Sequence, residues 1–116
     1  MHELQVTEGI LKIVLRNAEG QNVERITAIH LKIGELSDLE DEWIQRYFDY
    51  LSKNTIANGA KLIIQRSPVI LQCQKCRVQF VIQKDNIRDV KCPECDNKTT
   101  ALISGKEYHV KNMEVI

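Results

Sequence analysis

Two C-x₂-C pairs constrain the fold of this chain more than any other feature of its sequence. Cys73 and Cys76 form the first pair, Cys92 and Cys95 form the second, and fifteen residues separate the two pairs. This spacing is typical of a zinc site in which each pair forms a tight knuckle around one shared ion. Four sulfurs fill the tetrahedral shell of zinc and leave no position for water or substrate, so the sequence predicts a structural site rather than a catalytic one.

The segment between the pairs is short of side chains that could form a core. Its candidates are Val78, Phe80, Ile82, Ile87 and Val90. Structural zinc contributes about 10–16 kcal/mol of apparent binding free energy, against about 2 kcal/mol for each buried apolar side chain. We therefore expect the segment to need a metal in order to fold.

Disulfides and a redox motif are the alternative interpretations of the four cysteines. The N-terminus shows no basic stretch followed by an apolar one, so export is not expected and the thiols are predicted to face a reducing cytoplasm. A thioredoxin-like motif uses a single C-x₂-C at the start of a helix in a βαβ unit, a context that this sequence does not have. Both alternatives are therefore less favoured than zinc.

Composition argues against two classes of partner. The 116 residues include 16 Lys and Arg and 16 Asp and Glu, and no apolar run approaches the ~18 residues of a membrane span. Residues 72–98 hold six basic and four acidic side chains, an excess too small for a nucleic-acid-binding face. The same basic residues could offset the negative charge of four metal-bound thiolates. We expect neither a membrane nor a nucleic acid as partner.

Hydrophobic periodicity predicts two helices. Apolar residues recur at helical spacing from Glu3 to about Ala18, with Gly20 just beyond as a stop signal. The apolar members of this stripe are Leu4, Ile10, Leu11, Val14 and Leu15. Residues 37–40 have the form of a capping box, and Trp43 begins an apolar stripe that predicts a second helix with much of the aromatic core.

Strand patterns surround these helices. Ile29, Leu31 and Ile33 alternate with polar residues, and a second apolar stretch over 62–71 contains Pro68, which implies an edge position or a bulge. Residues 102–115 predict a last strand that returns to the first domain. The predicted fold is α+β, with two helices packed on one face of a small mixed or antiparallel sheet and an inserted zinc ribbon. The predicted domains are 1–72 plus 97–116 and, for the ribbon, 73–96.

The first three residues, Met1-His2-Glu3, place an imidazole beside a free α-amino group. The amino nitrogen with the backbone and ring nitrogens of His2 can close two fused chelate rings on one ion, and the Glu3 backbone nitrogen could complete a plane. Nitrogen-rich planar sets suit Ni(II) or Cu(II) rather than zinc. A lone histidine near a terminus is more often a solvated residue, so the residues alone leave both interpretations open.

Further candidate ligands are weaker. Glu40 belongs to an acidic cluster that is mostly explained by favourable charge at the start of the second helix, and it is a possible additional ligand. His30 and His109 lie on predicted strands, where a surface histidine or one with its hydrogen bonds satisfied is the simpler account, and neither is assigned a function.

Together these features resemble the HypA/HybF family of nickel metallochaperones, which assist nickel insertion during maturation of nickel-iron hydrogenases. The resemblance spans the whole chain and rests on short segments in family order. They are Met1-His2-Glu3, Ile33-Gly34-Glu35, the two C-x₂-C pairs, Ser104-Gly105-Lys106-Glu107 and Met113-Glu114-Val115.

The resemblance implies a function, its ligands and its partners. Nickel would be a transiently bound cargo held by Met1, His2 and the Glu3 backbone, with Glu40 at the acidic position. Zinc would be structural and held by Cys73, Cys76, Cys92 and Cys95. The implied partners are a nickel-handling GTPase maturation factor and the precursor of the hydrogenase large subunit.

One departure from the family and one alternative function accompany this resemblance. Some members carry histidine directly after each C-x₂-C, where this chain has Arg77 and Asp96, so we expect a constant four-thiolate zinc site. The alternative is a zinc-ribbon adaptor that binds protein or nucleic acid without handling nickel. An enzyme is not expected, because no arrangement of nucleophile, base and orienting group is apparent.

Overall fold

The fold was analysed in a computed structural model that describes residues 3–116. The predicted nickel ligands Met1 and His2 lie outside the described residues. The elements in chain order are α1 (Glu3–Ala18), β1 (Ile26–Gly34), α2 (Asp41–Leu51), β2 (Lys61–Ser67), β3 (Val69–Cys73), β4 (Gln79–Ile82), a 3₁₀ helix (Lys84–Asp89), β5 (Thr100–Ser104) and β6 (Tyr108–Val115). The predicted α+β class is confirmed.

The strands form two three-stranded sheets, whereas the sequence predicted one. The first sheet has the order β2-β1-β6, and the second has the order β4-β3-β5 with β3 antiparallel to both neighbours. Pro68 lies between β2 and β3, at the point where the chain passes from one sheet to the other. Because proline cannot donate to a ladder, the apolar stretch over 62–71 divides there into two strands.

The chain divides into two compact units. The first consists of residues 3–32, 38–65 and 109–116, and the second of residues 33–37 and 66–108. The second unit contains all four cysteines and includes segments on both sides of the 73–96 ribbon. Both α-helices belong to the first unit and contact one another. Within residues 3–116, no helix is long and apolar enough to cross a membrane.

The buried face of α1 supplies part of the core of the first unit. Val6, Ile10, Val14 and Ala18 recur every fourth residue and are all buried, as expected for one stripe of a helix with 3.6 residues per turn. Leu4 was predicted to belong to this stripe but is 44% exposed. The helix was predicted with the correct bounds, and the predicted stripe shares Ile10 and Val14 with the buried one, whereas Val6 and Ala18 were missed.

The start of α2 differs from the prediction. The helix begins at Asp41, and Glu40 is its N-cap residue, with extended backbone and no hydrogen bond from its side chain to the helix. The prediction that a capping box beginning at Ser37 starts this helix was therefore wrong. Ile44 and Phe48 are fully buried, whereas Trp43 is 36% exposed, so only part of the predicted aromatic stripe reaches the core.

Candidate metal centre

The four cysteines of the two C-x₂-C pairs meet in the second unit. Their sulfur atoms all lie within 4.8 Å of one another. The Sγ atoms of Cys73 and Cys95 are 3.6 Å apart, and those of Cys76 and Cys92 are 3.5 Å apart. Each of these close contacts joins the first pair to the second. Among residues 3–116, this is the only group of three or more metal-ligating side chains.

The separations between the sulfurs distinguish a metal site from disulfides. A disulfide requires about 2.05 Å between sulfurs, and all four cysteines are free thiols. Four sulfurs placed tetrahedrally at about 2.3 Å from a zinc ion would lie about 3.8 Å from one another. The two shortest contacts are within a few tenths of an ångström of that spacing, so the cluster fits a four-coordinate structural metal.

Each C-x₂-C pair is closed by a turn of the same form. The backbone N–H of Arg77 donates to the Cys73 carbonyl at 3.1 Å, and the N–H of Asp96 donates to the Cys92 carbonyl at 2.9 Å. Arg77 and Asp96 both have a positive φ, of 66° and 59°, in the left-handed region that few residues other than glycine adopt. Arg77 and Asp96 therefore each serve as the left-handed residue of a knuckle.

Hydrogen-bond donors converge on the sulfur of Cys73. The backbone N–H groups of Lys75 and Cys76 donate to it at 3.3 and 3.5 Å, and the Asn97 amide donates at 3.7 Å. The Cys76 N–H, with smaller contributions from Lys75 and Asn97, lowers the pKa of Cys73 to about 6 against the effect of burial. Asn97 was not predicted as part of the site, although an amide two residues after the last cysteine is a possible donor.

The pKa values of two other thiols, those of Cys76 and Cys95, are shifted in the opposite direction. The backbone N–H of Val78 favours ionisation of Cys76, but burial and three neighbouring thiols outweigh it and raise the pKa of Cys76 to about 12. The pKa of Cys95 is also raised, because burial and the thiols of Cys73 and Cys92 outweigh the Asn97 N–H. Four thiolates in one cluster therefore require a cation, and metal binding must release protons.

The predicted Glu3 and Glu40 positions lie next to each other in the first unit. Glu3 is the first residue of α1 and is 2% exposed. Its carboxylate oxygen Oε2 accepts the backbone N–H of Glu40 at 3.2 Å. The sequence indicated only the backbone nitrogen of Glu3 as a ligand and missed this role of its side chain. The contact places the start of the described chain beside the N-cap residue of α2.

The two remaining histidines do not form a metal site among the described residues. His30 Nε2 lies 2.9 Å from Glu114 Oε2 in a pair that joins β1 and β6. His109 lies on β6 and is exposed. His30 is therefore a satisfied, partly exposed histidine and His109 a surface one, which agrees with the expectation of surface or satisfied histidines.

The chain is similar to known proteins over nearly its whole length. The family described as "Hydrogenase/urease nickel incorporation, metallochaperone, hypA" matches residues 1–115. The hydrogenase maturation factor HypA of Caldanaerobacter subterraneus subsp. tengcongensis is 34% identical over 116 residues, which cover 99% of each chain. The HypA of Dehalococcoides mccartyi is 34% identical over 115 residues, covering 99% of this chain and 94% of the relative.

Solved structures share the fold. The solution structure of the Ni metallochaperone HypA from Helicobacter pylori superposes with a TM-score of 0.70 at 21% identity, over 100% of this chain and 98% of that one. A second solution structure of a HypA protein gives a TM-score of 0.75 at 21% identity, over 100% and 97% of the two chains. The α+β architecture described above is therefore the architecture of both solved proteins.

Proposed function

Because the chain belongs to the HypA family of nickel metallochaperones, we propose that it binds Ni(II) at its amino terminus and delivers the ion to the large-subunit precursor of a nickel-iron hydrogenase. The observation that most directly supports this site is the contact between the Glu3 carboxylate and the Glu40 backbone. It holds Glu3, the first described residue, beside the backbone of Glu40, whose side chain is exposed. Carrying an ion requires no catalytic group, which agrees with the non-enzymatic role of a metallochaperone family.

The proposed nickel ligands are nitrogens of the first three residues. They are the α-amino group of Met1, the backbone and ring nitrogens of His2, and the backbone nitrogen of Glu3. Since Glu3 is the first residue of α1, its N–H belongs to the first turn, whose N–H groups have no intrahelical acceptor. Coordination through this nitrogen would therefore break no hydrogen bond of the helix. A planar set of nitrogen donors suits Ni(II).

Glu40 is the proposed additional ligand. Its carboxylate makes no capping hydrogen bond to α2, and its backbone is held beside Glu3. Glu42 is a matched control, since it lies two residues further on and is paired with Arg46 at 2.7 Å. We expect Glu40→Ala to weaken nickel binding and Glu42→Ala to leave it unchanged. Equal effects of the two substitutions would exclude Glu40 as a ligand.

The proposed occupant of the four-cysteine cluster is zinc, with a structural role. Cys73, Cys76, Cys92 and Cys95 would hold it, and the two turns closed by Arg77 and Asp96 would fix the position of the sulfurs. Zinc bound there supplies folding free energy to the second unit rather than an open coordination position. The lack of an adjacent histidine supports a ligand set that stays the same as pH changes.

The proposed partners act in the cytoplasm, where the thiols stay reduced. A nickel-handling GTPase should approach the amino terminus and α1, because an ion can be transferred only to a receiver that comes close to Met1 and His2. The hydrogenase precursor is the proposed client. Cross-linking of the complex with the GTPase tests this arrangement, and cross-links confined to the second unit would contradict it.

Metal analysis of the untagged, reduced protein tests the function as a whole. After incubation with nickel and removal of free metal, we expect one zinc and one nickel per chain. A protein that retains zinc but binds no nickel would instead fit the zinc-ribbon adaptor.

A further inference from the structure

A groove of about 440 Å³ runs along one edge of the second sheet. Four consecutive residues, 80–83, line it, together with Asn86, residues 89–91 and Pro93. Successive side chains of a strand point to opposite faces of the sheet, so a cavity on one face would be lined by every second residue. A lining of consecutive residues therefore indicates that the groove follows the edge of β4.

The backbone of β4 is unpaired along this edge. β4 is an outer strand in the order β4-β3-β5, and among residues 3–116 no backbone hydrogen bond joins β4 to a segment other than β3. Val81 in the middle of the strand is 61% exposed. An unpaired edge of this kind offers alternating N–H and C=O groups to an added strand.

A basic pocket of about 430 Å³ continues from the groove. It shares residues 89–91 with the groove and adds Arg88 and Lys98. Three of its five lining residues are cations, and only Asp89 is acidic. None of the three cations forms an ion pair with a carboxylate in the part of the chain that the structure describes.

We propose that the β4 edge and the adjoining basic pocket bind an extended peptide segment of a partner protein, with apolar side chains followed by Asp or Glu. The peptide backbone would pair with the open edge of β4. Its apolar side chains would lie against Val81 and Phe80, and its carboxylates would reach Arg88 and Lys98. This binding mode goes beyond the proposed nickel function and does not require the nickel site.

The distribution of apolar and cationic residues along the groove favours a peptide as its occupant. The groove is apolar along β4 and cationic at one end, which matches a segment whose acidic residues follow its apolar ones. A single-stranded nucleic acid would instead require aromatic platforms for its bases, and Phe80 is the only aromatic residue that lines the groove. The cations can also offset charge on the thiolate cluster from a distance, but their position around one pocket places them for direct contact.

Peptide titration of the zinc-loaded, ¹⁵N-labelled full chain tests the proposal. The probe is a short peptide in which alternating valine and threonine are followed by a run of glutamates, and the comparison peptide carries lysines in place of the glutamates. We expect the acidic peptide to shift the amide resonances of residues 79–91 and of Lys98, and the lysine peptide to leave them unchanged. Binding of the acidic peptide should weaken as salt is added, because the charges are close to the surface.

Charge reversal at two sites provides a matched comparison. Arg88→Glu with Lys98→Glu should weaken binding of the acidic peptide about tenfold or more, since both substitutions replace attraction by repulsion. The control, Lys12→Glu with Arg16→Glu, makes the same change in net charge at a separate surface concavity on α1. It should leave the affinity for the acidic peptide within about twofold of that of the parent protein. Val81→Asp, which removes an apolar contact and places a carboxylate beside the groove, should also weaken binding. Zinc content and nickel affinity are measured on every variant and should not change.

Four results would overturn the proposal. They are absence of binding by the acidic peptide, equal losses in the two double variants, shifts confined to other residues, and displacement of the peptide by a single-stranded oligonucleotide. Concentration-dependent shifts of residues 79–82 without peptide would assign the edge to a second copy of the chain instead. If the protein bound no nickel, each of these peptide-binding measurements could still be made. The peptide proposal and the nickel proposal can therefore be refuted separately.

Discussion

Replacing Gly34 by alanine tests a close backbone approach in the second unit. A Cβ added at Gly34 would lie 2.0 Å from the carbonyl oxygen of Gly105, 2.1 Å from its carbonyl carbon and 2.6 Å from the nitrogen of Lys106. All three are backbone atoms, so no side-chain rotation can relieve the overlap. One of the two segments must move away.

The cost follows from the bonds that this movement would disturb. Gly34 N–H donates to the Glu107 carbonyl at 2.8 Å, and Leu36 N–H donates to the Gly105 carbonyl at 2.7 Å. Loss of two hydrogen bonds at about 1 kcal/mol each, added to about 1–3 kcal/mol for overpacking, gives a destabilisation of about 3–5 kcal/mol. Domains are stable by only about 5–15 kcal/mol, so the variant should lose a large fraction of its stability.

Urea unfolding of the reduced, zinc-loaded protein, followed by circular dichroism, measures this loss. The matched control is Gly9→Ala in α1, because a Cβ at Gly9 would have no atom within 4 Å apart from the backbone of its own helix and its chain neighbours. Alanine in a helix interior is favoured over glycine by about 0.5–1 kcal/mol, so the control should be slightly more stable than the parent. A Gly34→Ala protein within about 1 kcal/mol of the parent would refute the proposed close approach.

Three further substitutions probe other parts of the molecule. Cys76→Ser should lose zinc and disorder mainly the second unit, as measured by elemental analysis and amide exchange; retention of zinc with a folded second unit would contradict the structural role. Backbone N–H groups, foremost that of Gly105, hold the pKa of Glu107 below its usual value, so its charged form stabilises the fold at neutral pH, and this contribution is lost as pH falls through the lowered pKa. The stability difference between the parent and Glu107→Gln should therefore shrink below about pH 4.3, and a difference that grows on acidification would be inconsistent with these bonds. His30→Ala removes a partly exposed pair with Glu114 and should cost less than about 1 kcal/mol without changing nickel affinity in calorimetry; a large loss of affinity would make His30 a ligand.

The sequence predicted the features that depend on local spacing. The bounds of α1 follow from a repeat of apolar residues along one segment, and the cysteine cluster follows from two pairs at fixed spacing. Ile29, Leu31 and Ile33 were expected to face the core and are all buried. In each case the pattern lies within one continuous segment of the chain, so one physical rule determines the outcome.

Features that depend on distant segments were not predictable in this way. Residues 37–40 have the form of a capping box, but the N–H of Glu40 is bound by Glu3, which lies 37 residues earlier. The short motifs that contain Gly34 and Gly105 do not predict that these two backbone segments, which are distant in sequence, approach each other closely. The division into two sheets at Pro68 likewise depends on which strands pair, and periodicity does not determine pairing.

The central claim is that nickel binds at the amino terminus through both the α-amino group and the His2 imidazole. An α-amino group with a pKa near 7.7–8.0 must lose its proton to bind, and the imidazole must be neutral, so affinity should fall as the pH drops below about 6.5. His2→Ala removes the ring donor. A short uncleaved peptide added before Met1 converts the amine to an amide and moves the free terminus out of chelate register.

Nickel titration by calorimetry on three proteins tests this claim most directly: the untagged chain, the His2→Ala variant and the chain extended before Met1. The account predicts tight binding of one nickel by the untagged chain, loss of tight binding in both altered proteins, and unchanged zinc content in all three. Unaltered nickel affinity in the extended chain would contradict the account, because it would show that the terminal amine is not a ligand.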